Sequence, residues 1–150
     1  MADDPTEAGA PRTRDVTRAY ESDGIRVLWD ATLCIHTAIC LQRLPAVFDV
    51  TARPWVDLDG APAADVAETI RACPTGALRY EAKGDLPPEE PDDATVVEVR
   101  PNGPLFVRGR VSVTAPGGRS LAQSPRLALC RCGASENKPF CDNSHRLVGF

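Results

Sequence analysis

Six cysteines and two histidines stand in this 150-residue chain, and their spacing separates them into two groups. The later group is Cys130, Cys132, Cys141 and His145, spaced C-x-C-x8-C-x3-H within sixteen residues. Soft thiolates with one imidazole suit zinc or an iron–sulfur cluster and do not suit magnesium or calcium. Zinc sites usually pair their cysteines as C-x2-4-C. A single residue separates Cys130 from Cys132, which fits two sulfurs reaching one iron from a strand end, with Cys141 and His145 on a second iron. The earlier group is Cys34, Cys40 and Cys73, with His36 beside the first of them.

A bacterial ferredoxin run reads C-x2-C-x2-C-x3-C-P, and its fourth cysteine serves the other cluster. Laid on Cys34, that run places Thr37 second, Cys40 third and Leu44-Pro45 last. With Cys73-Pro74 as the closing pair of the other run, its earlier positions fall on Ala63, Val66 and Thr69. One cluster's ligand set therefore survives, less its second cysteine, and the other set is gone. His36 lies one residue short of the vacant position, as a fourth ligand or as a donor to one.

The stretch Cys130, Cys132, Ser135, Pro139, Cys141, Asp142, Ser144 and His145 resembles the CDGSH iron–sulfur family. It departs at Asn143, where that family usually has Gly, and Asn is the side chain most at ease with positive φ. The resemblance implies a 2Fe–2S cluster on three Cys and His145. Cys34, Cys40, Leu44-Pro45, Val47-Phe48 and Cys73 through Leu78 resemble a divergent single-cluster ferredoxin family, over residues 18–82. That resemblance implies a 4Fe–4S or 3Fe–4S cluster on Cys34, Cys40 and Cys73.

The elements that position these ligands are short. Residues 1–17 are polar and aperiodic and read as a disordered tail. Ile25–Trp29 alternates as a strand, and the loop from Cys34 runs into a short helix ending before Pro45. Pro54–Leu58 reads as a strand closed by a turn at Asp59-Gly60. Residues 63–72 suit a helix with Val66, Ile70 and Cys73 on one face. Ala77–Tyr80 is a further strand. Residues 83–93, acidic and rich in proline, read as an extended linker. Beyond it, Val96–Arg100, Leu105–Val107, Arg110–Val113 and Leu127–Leu129 read as strands, with a turn at Asn102-Gly103. The expected fold is α+β: a ferredoxin-like domain over 18–82, joined to a small β-rich CDGSH domain over 94–150.

Composition narrows the function. The formal charge of −4 argues against nucleic acid as the main partner. No apolar run of membrane-spanning length occurs, and no apolar leader follows Met1, so a cytoplasmic protein is expected. Its two lysines among 17 basic residues, with many Ala and Pro, suggest a GC-rich bacterial source. Neither GxGxxG nor GxxxxGK[ST] is present, and no nucleophile–base pair stands out, so no enzyme is expected. Electron transfer with reductase or oxidase partners is the leading reading, and the CDGSH resemblance allows a homodimer. Neutral His145 in place of a thiolate should make the second centre the more positive one, so electrons would run toward it. A redox or pH sensor, or a cluster donor, competes through the imidazole of His145. A zinc-stabilised interaction module is the third reading. Trp29 and Trp55 read as core residues, Asp142 as the cap of a helix carrying His145, and Arg131 and Lys138 as offsets to cluster charge or solvated cations.

Overall fold

The computed structural model of the protein describes residues 17–150. The tail expected over 1–17 lies outside the described residues except for Thr17, which opens the first strand. Two three-stranded antiparallel sheets carry most of the regular structure, and the helices are few and short. The first sheet joins β1 (Thr17–Glu21), β2 (Ile25–Asp30) and β3 (Leu78–Ala82), with β2 in the middle. Between β2 and β3 lie α1 (Ile39–Arg43) and α2 (Ala63–Arg71). Helix α2 follows Pro62 and buries Val66, Ala67 and Ile70 against Ile25, Val27 and Leu78 of the sheet. Spacing of 1, 3 and 4 residues puts those side chains on one helical face, as the sequence pattern requires.

The second sheet runs β4 (Val96–Val99), β5 (Leu105–Thr114) and β6 (Ser120–Leu129), in that order. Sequence reading broke β5 into two strands around Gly109, but the strand continues through it. Gly109 takes φ +135°, and the β5–β6 register shifts between Arg108 and Val111. A glycine in that backbone region marks a bulge, which interrupts pairing without ending the strand. β6 starts at Ser120, seven residues before the stretch that its apolar character shows. The expected strand at Pro54–Leu58 reduces to one bridge between Phe48 and Val56. The Asp57 carboxylate accepts from the Asp59 N–H and turns the chain into a 3-10 turn, Leu58–Gly60. No helix among the described residues is long and apolar enough to cross a membrane.

The two sheets are packed on each other. One buried cluster joins Leu33 and Ala77 to Leu127 and Phe140, and a second joins Ile35 to Ala128 and Cys141. Next to Leu127 of the first cluster stands Arg126 of β6, the largest fully buried side chain among the described residues. It spends all five guanidinium N–H groups across the boundary. Nε and Nη2 grip the Glu89 carboxylate at 2.9 Å each. Nη1 donates to the Ile70 and Cys73 carbonyls at 2.8 and 2.6 Å, and Nη2 also donates to Leu78 O at 3.0 Å. The Arg126 carbonyl lies so close to Gly76 that a Cβ there would stand 2.5 Å from it, and Gly76 also has φ +75°. Only glycine satisfies both conditions.

Residues 83–93 form no helix or strand, yet they are anchored. Leu86 packs on the first core, Pro87 O accepts from the Tyr80 hydroxyl, and Asp92 pairs with Arg108. Glu89 is held with only 10 % of its side chain exposed because Arg126 supplies the charge it faces. Removing one partner of such a buried pair strands the other. Arg126→Met should therefore cost about 3–5 kcal/mol, with Glu89→Gln costing less, since the amide still accepts from one N–H. Urea unfolding of both variants beside the parent protein checks the order. Equal stability of all three would show that the pair does not hold the sheets together.

Candidate metal centres

The second ligand set sits where β6 ends. Cys130 N donates to Pro139 O and Cys141 N donates to Ala128 O, so the strand end and the returning loop are stitched on both sides of Phe140. Ser135, buried, donates to Phe140 O at 2.6 Å and accepts from Asn137 N, closing the loop between Cys132 and Cys141. Asp142 accepts from Ser144 N and Glu136 N, which fixes the 3-10 turn Ser144–Arg146 that carries His145. Asn143 takes φ +77°, the left-handed conformation expected of a residue in a glycine position.

These constraints leave the four donors as two close pairs. Cys130 Sγ and Cys132 Sγ are 3.8 Å apart, and Cys141 Sγ and His145 Nδ1 are 3.6 Å apart. Two sulfurs about 2.3 Å from a tetrahedral metal lie about 3.8 Å from each other, and a sulfur–nitrogen edge is about 3.5 Å. Each pair thus matches one edge of a metal's tetrahedron. Among the described residues, no three His, Cys, Asp or Glu side chains converge closely enough to hold a single ion. Two such edges are what a two-metal cluster with one donor pair on each metal requires.

Electrostatics agree with a buried cationic occupant. Burial, aided by the charges of Cys130, Asp142 and Cys132, raises the Cys141 thiol against a hydrogen bond from Asn143 N–H. Burial also pushes Cys130 upward, but backbone N–H groups of Ser135 and Gly133 and both groups of Cys132 outweigh it, and its pKa falls. Backbone N–H groups of Ala134 and Asn143 stand 3.4 Å from the Cys132 and Cys141 sulfurs. Such donors favour thiolate, the form that binds metal. Arg131, read from the sequence as an offset to cluster charge or a solvated cation, clamps the 100–103 loop. It donates to Gly103 O and Arg100 O and lies 4.6 Å over the Phe150 ring.

The first ligand set lines one small cavity together with His36, Thr37, Thr75 and both tryptophans. The ligand loop leaves buried Leu33, turns through left-handed His36 and Ala38 at φ +61° and +63°, and enters α1. Those two residues store strain, since neither is a glycine, and the turn they make is what brings Cys34 and Cys40 to one cavity. Cys73 follows the last turn of α2, and its carbonyl is fixed by Arg126. Burial raises Cys34, as does the charge of Cys73. Burial and the charges of Cys73 and Cys34 push Cys40 up to about 11. Burial first, and the neighbouring sulfurs second, thus hold Cys34 and Cys40 as thiols, and a bound cation would relieve both effects.

A model of the divergent 4Fe-4S mono-cluster family matches residues 20–83, and a model of the CDGSH-type iron-binding zinc finger matches residues 102–146. The uncharacterized protein YjdI of Escherichia coli strain K12 is 32% identical over 66 residues, 44% of this chain and 87% of that relative. YjdI of the O157:H7 strain matches equally. The chain belongs to the divergent 4Fe-4S mono-cluster family. A CDGSH domain follows in the same chain, so two iron–sulfur-binding domains stand in the order the motifs imply.

Within the mono-cluster domain, Thr37 occupies the vacant second-ligand position and lines the cavity. His36 is exposed, with Nδ1 4.0 Å from Cys34 Sγ. Sequence reasoning missed three features. Thr75 Oγ1 lies 3.6 Å from Cys73 Sγ and accepts from Ala77 N, so its hydroxyl proton is free to go to sulfur. The Trp55 indole N–H, in the cavity wall, is buried without a partner among the described residues, and a buried orphan donor fits a site that brings sulfur acceptors. Trp55 also packs edge-on against Trp29 at 5.1 Å, so its role in the core stands as expected. The third is Ile35, next to Cys34, which packs against Cys141 of the CDGSH domain.

The left-handed turn at Asn143 is testable by itself. Asn143→Gly should retain the iron of the CDGSH centre, whereas Asn143→Val places a branched side chain where the backbone penalises it by about 1–2 kcal/mol or more. Iron per chain and visible absorption should fall in the valine variant alone, and a fall in both would mean that backbone conformation is not what Asn143 supplies.

Proposed function

We propose that the chain is a two-centre electron carrier, with a 2Fe–2S cluster on Cys130, Cys132, Cys141 and His145 and a 4Fe–4S or 3Fe–4S cluster on Cys34, Cys40 and Cys73. Clusters of these kinds, when bound, take up and release one electron each. The observation that carries the reading is the buried contact of Ile35 with Ala128 and Cys141, which sets one ligand loop against the other. Arg126 adds a second tie, from β6 four residues before Cys130 to the carbonyl of Cys73. A carrier needs its ligand sets close and rigid, and these residues make them so.

The residues also set a direction. His145 is neutral where an all-thiolate site would place a fourth negative charge, and backbone N–H groups reach the Cys132 and Cys141 sulfurs. Both effects favour the reduced form, so the CDGSH centre is the more positive and the mono-cluster centre the donor to it. His36 serves as fourth ligand to a 4Fe–4S cluster, or the three thiolates alone hold 3Fe–4S. Partners are a reductase and an oxidase, and the protein acts in the cytoplasm as a carrier with no catalytic reaction of its own. A cluster-donor role is the second reading, favoured because His145 is only half-buried, which leaves that edge of the site within reach of an acceptor protein.

EPR-monitored redox titration of anaerobically purified protein tests the proposal. Two one-electron waves are expected, the lower one lost in Cys73→Ser and the upper one lost in Cys141→Ser, with His36→Ala altering only the lower wave if its imidazole is a ligand. A lower potential at the CDGSH centre would reverse the direction, and zinc without iron at both sites would end the carrier reading.

A further inference from the structure

Beside the mono-cluster centre lies an open groove of about 1040 Å³, far larger than the ligand cavity it adjoins. Its volume lies at the top of the range for small-molecule sites. Three aromatic side chains wall it: Tyr20, Trp29 and Trp55. The exposed guanidinium groups of Arg18 and Arg53 line it as well, and not one Asp or Glu does so among the described residues. The chain as a whole has 21 acidic residues against 17 Lys and Arg, so this lining runs against its overall charge. Cys34, Cys40 and His36 form part of the same wall.

Each feature narrows the occupant. Aromatic walls favour a flat ring system, which they bury and stack against. Arginines without carboxylates nearby favour a negative group, and guanidinium binds carboxylate, sulfonate or phosphate in a planar fork. Arg53 is already tethered, donating to Val50 O and Ala52 O, which holds its side chain in place at the groove. Arg18 makes no hydrogen bond or ion pair with any described residue, and stands opposite Trp29 in the β1–β2 ladder. Val50, 56 % exposed, adds apolar surface that an occupant would cover.

We propose that this groove binds a planar aromatic anion, held by stacking on the tryptophan–tyrosine wall and by charge from Arg18 and Arg53, in contact with the ligand loop of the first centre. The proposal goes beyond the carrier reading, because it adds a small-molecule ligand. It does not require the centre to be redox-active, so the two can fail separately.

Isothermal titration of the full-length, iron-loaded protein with flavin mononucleotide, riboflavin and anthraquinone-2-sulfonate tests it. Flavin mononucleotide and riboflavin share one ring and differ by a phosphate. The anionic probes should bind, flavin mononucleotide at least tenfold more tightly than riboflavin. Arg18→Glu should remove that advantage while leaving iron content and visible spectrum unchanged, since Arg18 is exposed and has no partner among the described residues. Absence of binding by both anionic probes at millimolar concentration would overturn the proposal. Equal affinity for the two flavins, or an Arg18→Glu variant that binds like the parent, would do the same.

Discussion

A charge with no access to water governs the arrangement of this protein. Arg126 is completely buried, and a guanidinium there is tolerable only because Glu89 and three backbone carbonyls take up all of its N–H groups. None of those four partners lies on the sheet that carries Arg126. They come from α2 and the turn after it, from β3, and from the segment between the domains. Loss of any one partner inside this packed body would strand a buried ion or carbonyl, so the arrangement is specified at all four points together. Apolar contacts from Leu33, Ala77, Leu127 and Phe140 supply non-directional burial around that point. The arginine supplies the register.

Both metal centres inherit their positions from this arrangement. Cys73 leaves α2 with its carbonyl bonded to Arg126, and Cys130 follows from the strand that Arg126 anchors. Each centre then relies on backbone held in left-handed conformations by residues other than glycine: His36 and Ala38 in one loop, Asn143 in the other. Strain of that kind persists only where the surroundings over-determine it. Burial, with a smaller contribution from neighbouring charges, raises the Cys34, Cys40 and Cys141 thiols, so holding them as thiolates costs free energy. Metal binding and folding are therefore coupled, and part of the binding free energy is spent on holding these loops.

The candidate ligands stand out in the chain because metal chemistry restricts residue type and spacing together. Cys130, Cys132, Cys141 and His145 form two donor pairs as their spacing implies, and the α2 face of Val66 and Ile70 is buried as its periodicity implies. What escaped was long-range. Arg126 follows Pro125 in an ordinary-looking strand, and nothing local marks it as buried, since its partners are 37 to 56 residues away. Glu89 lies in a stretch whose composition reads as a solvated linker, and only the opposing arginine changes that. Thr17–Glu21 has no apolar alternation to speak of and is a strand because β2 offers it an edge. Gly109 reads as a strand breaker, whereas the β5–β6 ladder absorbs it as a bulge. The mismatch of Asn143 with a glycine position was legible in advance, because the backbone preference of asparagine is a local property.

The central claim is that the two ligand sets belong to one packed body, joined through Arg126 and through the contact of Ile35 with Cys141. The most direct measurement is EPR of the protein with both centres reduced, beside Cys73→Ser and Cys141→Ser, each of which retains one centre. Centres held this close should couple magnetically, so the spectrum of the intact protein should show splitting or faster spin relaxation absent from the sum of the two variants. A spectrum equal to that sum would contradict the account and would place the two centres on independently moving domains.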